Sequence, residues 1–281
     1  MKKLLKWEFR ATSRQMIPLY LALGGMTALG VLFLLLGSVL EGSDTGRMIL
    51  SVLTPFALIT YIFVIAAVAI GTLGILLFRY YRNLIRDEGY LMHTLPVTPS
   101  QLVLSKFIAA YVWMLLSVLL ILISFLILLA SAAMIFGSGI YWRGIWQAIM
   151  NYEVLQYLLP FMLAILASCA ASLLLYYAAI SIGQCVTRHK VMGAIASYFG
   201  LYTAMQILNL LMMLVYFFIV AKTNVLWEME FQISAGGADI SALGSGLVLP
   251  FIITMALMYA VYSVVFYMIS RYMLAKKLNL E

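Results

Sequence analysis

Charged side chains are scarce in this sequence: only 10% of its 281 residues are Asp, Glu, Lys or Arg, whereas 65% are hydrophobic. An ordinary soluble domain is about 25% charged, and a soluble fold of this length has too little interior to hide so much apolar surface. The composition therefore excludes a soluble globular protein. The net charge of +7 is the kind that a membrane protein carries at its surface, so no nucleic-acid partner is expected.

Reactive side chains are also few. The two cysteines, Cys169 and Cys185, indicate no disulfide framework, and the two histidines are His93 and His189. The sequence has neither an HExxH metal motif nor a GxxxxGK[ST] nucleotide loop. No serine has a histidine or carboxylate nearby to activate it. We therefore expect no enzyme, no metal and no cofactor in this chain, and any energy must come from another subunit.

Long apolar runs dominate what remains. Six of them reach the roughly 20 residues that a helix needs to cross a bilayer. They cover residues 17–40, 48–78, 107–136, 154–183, 191–221 and 247–270. None contains Asp, Glu, Lys, Arg or His, although ion-coupled carriers usually keep such groups in the membrane. The predicted fold is an all-α membrane protein with a domain of six transmembrane helices over residues 17–281.

The basic residues set the expected orientation. Fourteen of the 17 lysines and arginines fall on the side of the two termini, and three fall on the other side. The positive-inside rule places both termini in the cytosol, which an even number of spans allows. The segment 79–106 is then a cytosolic loop, and 222–246 is the longest outer loop. The expected location is the cell membrane (plasma or inner membrane), with multiple passes.

Residues 1–16 have the pattern of an amphipathic interfacial helix. Their basic stripe consists of Lys3, Lys6, Arg10 and Arg14. The apolar side is broad and is interrupted by Glu8. Two interpretations are compatible: the helix anchors the chain to membrane lipid, or it contacts a cytosolic partner.

The loop 79–106 carries signals of helix starts and stops. Asp87 can cap a short helix that Pro96 ends. Thr98 and Gln101 form a capping box with proline at the first helical position, which predicts a new helix running into the third span. The short helix is expected to lie across the cytosolic mouth, held between two membrane helices.

Mild polar groups recur in the fourth and fifth spans. The candidates are Ser172, Tyr176, Tyr198, Thr203, Gln206 and Asn209. Such side chains commonly form hydrogen bonds between membrane helices. The functional alternative is that they line the path of an amphipathic substrate, and both interpretations remain open at this point.

The layout and the loop together resemble a family, the membrane-spanning permease subunit of ABC transporters of the type II exporter class. Members share a basic amphipathic N-terminal helix, six spans, and a loop pattern of two acids, Gly, a hydrophobic pair, then Leu-Pro-x-[Ser/Thr]-x-x-x-Leu and a lysine. The residues that match are Asp87, Glu88, Gly89, Tyr90, Leu91, Leu95, Pro96, Thr98, Leu102 and Lys106.

The resemblance implies a function and partners. The short helix from Asp87 to Leu95 would be the coupling helix, which docks on a cytosolic ABC ATPase subunit. Two ATPase copies, which hold ATP and Mg, would serve two permease chains, identical or related. The cargo would be lipid-like, peptide or drug-like, and it would be exported. The alternative is a stand-alone channel, scaffold or secondary carrier that needs no ATPase.

Overall fold

The computed structural model of this protein describes residues 2–40, 42–85, 98–135, 150, 152–185, 190–222 and 247–276. Within these ranges the chain forms six long helices. They are α1 (Lys2–Leu40), α2 (Asp44–Ile85), α3 (Pro99–Ile135), α4 (Tyr152–Gly183), α5 (Lys190–Lys222) and α6 (Leu249–Lys276). All six are long and apolar enough to cross a membrane, which confirms the predicted helices. The expected coupling helix (87–95) and residues 223–246 of the outer loop lie outside the described residues.

The helices of the first half are longer than a bilayer core requires. At 1.5 Å per residue, the 39 residues of α1 extend about 58 Å and the 42 residues of α2 about 63 Å. A hydrocarbon core is about 30 Å thick. The helix α1 continues through Pro18 without interruption. The boundary expected at residue 17 is therefore a change of composition along one continuous helix.

Two helix starts follow from short-range hydrogen bonds. The Ser43 Oγ accepts a bond of 3.1 Å from the Gly46 N–H, which caps the first turn of α2. At the start of α3, the Thr98 N–H donates to the Gln101 side-chain oxygen at 3.3 Å, and the helix begins at Pro99. This is one of the two hydrogen bonds of a capping box, the one in which the side chain of the third helical residue accepts from the capping residue's N–H. The start predicted for the third membrane helix is thus confirmed.

The described helices group into two compact units. The amino-terminal unit contains α1, α2 and the part of α3 from Leu104, and α1 packs along α2. The carboxy-terminal unit contains the first turn of α3, up to Val103, with α4, α5 and α6. Here α4 is central, because it packs against both α5 and α6. Its residues Leu173, Tyr177 and Ala178 are almost completely buried.

Large apolar side chains cover the outside of both units. On α5, for example, Leu210, Phe217 and Phe218 are each more than half exposed. A soluble monomer rarely exposes contiguous apolar area on this scale, whereas lipid tails solvate such a surface as well as another helix does. The six helices and their outward apolar faces support a multi-pass membrane protein.

Candidate functional sites

A buried ion cluster joins α1, α2 and α3 at the end of the amino-terminal unit where α1 begins. The Glu8 Oε1 atom lies 2.5 Å from Lys106 Nζ, and Glu8 Oε2 lies 3.2 Å from Arg79 Nη2. The side chains of Glu8, Lys106 and Arg79 are only 10%, 5% and 12% exposed. We call these three residues the ion cluster. Its charges are largely removed from water, so they interact far more strongly than a surface pair does.

The helical register of α1 places Glu8 in this position. Residues four apart lie on the same face of a helix, and Glu8, Thr12 and Met16 are all buried. The Thr12 hydroxyl donates to the Glu8 carbonyl oxygen at 2.8 Å, so it needs no partner outside α1. Phe9 packs beside Trp113 of α3, with ring centroids 6.2 Å apart. This face therefore holds the first turns of α1 against the rest of the unit.

The ion cluster carries two cations for one carboxylate. Each Glu8 oxygen accepts one charged donor, Lys106 or Arg79. A buried pair of this kind contributes little net stability, because desolvation offsets most of the attraction. Removing its carboxylate is costly, since two buried cations then lose the carboxylate that they share among the described residues. The cluster thus specifies how the three helices meet more than it strengthens the fold.

In the sequence, the two cations of the ion cluster flank the segment 86–97. Arg79 lies in the last two turns of α2, and Lys106 lies in the first two turns of α3. Both helices that carry this segment are therefore attached to the same residue of α1.

Beyond the ion cluster, two small groups of hydroxyls connect the same helices. In the first, the Ser117 Oγ lies 2.8 Å from the Tyr20 hydroxyl and 3.1 Å from the Thr72 hydroxyl. In the second, the Ser124 Oγ lies 2.7 Å from the Thr27 hydroxyl and 2.8 Å from the Tyr61 hydroxyl. Each group takes one residue from each of α1, α2 and α3. Their hydrogen bonds are internal, as expected of polar groups in an apolar bundle.

Replacing Ser124 with alanine is expected to lower the free energy of unfolding by about 1 kcal/mol, because two buried hydroxyls lose a partner. The matched control is Ser131→Ala on the same helix. The Ser131 hydroxyl donates to the Ile127 carbonyl of its own helix at 2.7 Å, so its loss should change little. Denaturation in mixed detergent micelles measures both variants. Equal effects of the two would show that the group around Ser124 has no special role.

An apolar groove of about 350 Å³ opens in the amino-terminal unit, next to the group of hydroxyls around Ser124. Met26, Leu29 and Phe33 of α1 form one side of it, and Leu58 of α2 and Leu128 of α3 contribute to the others. Among the described residues that line it, none is Asp, Glu, Lys, Arg or His. A groove with this lining suits a hydrocarbon chain and offers no site for a charged ligand.

The carboxy-terminal unit carries an aromatic row on α4 and α5. The rings of Tyr176 and Tyr198 stack with centroids 5.1 Å apart and an angle of 3° between their planes. The Tyr198 ring stacks in turn on Tyr202 at 5.8 Å. The Gln206 amide then donates to the Tyr202 hydroxyl at 2.7 Å. These four residues form a continuous polar and aromatic surface, and Tyr202 and Gln206 are exposed on it.

Four of the predicted path residues belong to this arrangement or lie beside it. Tyr176, Tyr198 and Gln206 are in the row, and Asn209 follows one turn later, where it accepts a hydrogen bond of 3.0 Å from the Tyr262 hydroxyl of α6. The structure adds Tyr202, which was not among the predicted path residues and which lies four residues from both Tyr198 and Gln206 on one face of α5.

Two other predicted path residues have no hydrogen bond or ring contact with the row among the described residues. The Ser172 hydroxyl donates to the Ser168 carbonyl of its own helix at 2.8 Å. Thr203 is exposed one residue beyond Tyr202, so it points away by about 100° around the helix. The seven residues predicted for partner binding lie outside the described residues. They are Asp87, Glu88, Gly89, Tyr90, Leu91, Leu95 and Pro96.

The ion cluster was not among the residues predicted to form a site. Its signal in the sequence was the interruption of an apolar face by Glu8. In the part of the chain that the structure describes, no three His, Cys, Asp or Glu residues come together as metal ligands would. Comparisons with protein-family models, with curated proteins and with solved structures find no match to this chain.

Proposed function

We propose that this chain is the membrane-spanning permease subunit of an ATP-driven exporter of the ABC type, whose energy comes from a separate cytosolic ATPase. The observation that carries the proposal is the ion cluster. Glu8 binds the two helices on either side of segment 86–97, the segment that matches the family's docking pattern. A site where a partner pushes needs a rigid base, and a buried cluster across three helices supplies one.

The proposed mechanism is alternating access. Closure of two ATPase subunits around ATP and Mg pushes on segment 86–97 of each of two permease chains. Because Arg79 and Lys106 share Glu8, α1, α2 and α3 respond together as a rigid body and do not bend one by one. The hydrogen bond from the Thr98 N–H to the Gln101 side chain fixes the start of α3 directly after the segment. Asp87 and Glu88 would pair with basic groups of the ATPase, and Tyr90 and Leu91 would fill an apolar cleft.

The proposed cargo is amphipathic: lipid-like, peptide or drug-like. The aromatic row offers stacking faces, three tyrosine hydroxyls and one amide on an otherwise apolar helix surface. The groove beside Tyr61 accepts hydrocarbon. Neither place offers a charged side chain among its described residues to bind a small inorganic ion. These surfaces support a cargo with a large apolar part and few polar groups.

The double variant Tyr90→Ala/Leu91→Asp is expected to release the ATPase subunit and to abolish ATP-driven transport. Loss of two central interface side chains should weaken the complex at least tenfold. The measurement is affinity purification of the tagged chain in mild detergent from its native host, followed by identification of co-purifying proteins and an ATPase assay.

The matched control changes two exposed apolar residues at the other end of α1 and α2, Val39→Ala/Met48→Asp, and should keep the ATPase bound. Two results would contradict the proposal. One is a wild-type chain that purifies alone without ATP hydrolysis, which favours a stand-alone channel, scaffold or carrier. The other is an ATPase that stays bound to the loop variant.

A further inference from the structure

The first turns of α1 carry two stripes of opposite character. Glu8, Thr12 and Met16 are buried against the rest of the amino-terminal unit. Lys6, Arg10 and Arg14 recur at the same interval of four residues, and all three are exposed. At 100° per residue the second stripe lies about 200° around the helix from the first. The ion cluster therefore fixes where the three cations point.

The cations of this outer stripe have no acidic partner among the described residues. The ion pairs found there join Glu8 to Arg79 and Lys106, and Asp44 to Arg47. Three positive charges thus stand in line, with a rise of about 6 Å from one to the next. Because α1 is continuous, the line leads directly into the apolar run that begins at residue 17.

An exposed aromatic ring lies beside the outer stripe of Lys6, Arg10 and Arg14. Trp7 is 67% exposed on the outer side of α1, next to Lys6. Tryptophan favours the headgroup layer of a bilayer, where its apolar ring and its N–H are both solvated. Ile17, at the other end of the stripe, is half exposed. The face from Lys6 to Ile17 changes from basic and aromatic to apolar in the order in which a bilayer changes from headgroup to hydrocarbon.

We propose that Lys6, Arg10 and Arg14 form a binding surface for the phosphate groups of anionic phospholipids. Guanidinium groups bind phosphate in a planar, two-pronged geometry. A row of exposed cations beside a membrane helix is the arrangement that concentrates anionic lipid. The pairing of Glu8 inside the unit fixes the side of α1 from which these three side chains extend. This proposal does not rest on an ATPase partner and stands if the chain acts alone.

The test is native mass spectrometry of the full chain in detergent, titrated with equal amounts of phosphatidylglycerol and phosphatidylcholine of the same acyl chains. Each lysine or arginine held at an anionic lipid surface raises affinity roughly fivefold. We expect the wild-type chain to retain phosphatidylglycerol preferentially. Arg10→Gln/Arg14→Gln should reduce that preference at least tenfold. The control Arg47→Gln/Lys222→Gln removes the same charge elsewhere and should preserve most of it.

Raising the salt concentration should reduce the wild-type preference toward that of the Arg10/Arg14 variant, because the contact is electrostatic. Unchanged thermal stability of the variant in lipid-free detergent would show that the fold is intact. The proposal is overturned if the variant keeps the wild-type preference, or if the control loses as much. It is also overturned if the variant binds lipid normally but loses a stoichiometric protein partner, which would assign the stripe to protein docking.

Discussion

Replacing Glu8 with glutamine is expected to lower the free energy of unfolding by about 3 kcal/mol. Glutamine keeps the size of the side chain and removes its charge. Lys106 and Arg79 would then be two nearby cations with little access to water, at 5% and 12% exposure. Removing a carboxylate that two buried cations share is among the few single changes with effects this large. Unfolding in mixed detergent micelles, followed by loss of helical signal, measures it.

The control for Glu8 is Asp44→Asn, which also removes one carboxylate from an ion pair. The Asp44–Arg47 pair spans 3.7 Å, and the Asp44 side chain is 98% exposed, so no measurable change is expected. A second test is Glu8→Gln with Lys106→Met, which also removes one of the two cations that Glu8 neutralised. This double variant should recover part of the lost stability. If the Glu8→Gln chain is as stable as wild type, Glu8 is not a buried counter-ion of Arg79 and Lys106.

The Glu8 variant also tests the proposed coupling. If Glu8 joins α2 and α3 as described, its loss should reduce ATP-driven transport more than it reduces binding of the ATPase. The segment that docks would be intact, while the connection that carries its motion to α1 would be broken. If transport and ATPase binding fall to the same extent, the variant has unfolded in general. The stability measurement on the same sample distinguishes such unfolding from a specific loss of coupling.

The six helices could be predicted from the sequence because each depends on local composition. A run of about 20 apolar residues needs no distant partner to become a membrane helix. The start of α3 at Pro99 was predictable for the same reason, since Thr98 and Gln101 satisfy each other within four residues. Signals that operate within one turn of helix can be deduced from one sequence.

The ion cluster could not be predicted in this way. Glu8 is 71 residues from Arg79 and 98 residues from Lys106. Periodicity showed that Glu8 interrupted an apolar face but gave no reason to choose its partners among the basic residues. The aromatic row was intermediate. Tyr198 and Gln206 were predicted as polar residues of α5, and Tyr202 shares their face at four-residue spacing. The stacking of Tyr198 on Tyr176 required the packing of α5 on α4.

Replacing Gly183 with alanine is expected to lower the free energy of unfolding by about 3 kcal/mol, the upper part of the range for overpacking. Gly183 ends α4 where it meets α5. A Cβ atom there would lie 2.3 Å from the Ala194 backbone nitrogen and 2.5 Å from its Cα. Both contacts are with backbone, so no side-chain rotation relieves them, and α4 and α5 must separate. The same unfolding assay in mixed micelles measures the effect.

The matched control is Gly200→Ala on α5, where an added Cβ meets nothing within 4 Å. Alanine favours a helix over glycine, so this variant should be neutral or up to about 1 kcal/mol more stable. Adding Ala194→Gly to Gly183→Ala removes a third contact, at 2.7 Å to the Ala194 Cβ, but leaves both backbone contacts. Little recovery is therefore expected. Full recovery would mean that side chains, and not the two backbones, limit how closely α4 and α5 approach. The aromatic row depends on that approach, because Tyr176 and Tyr198 stack across the same pair of helices.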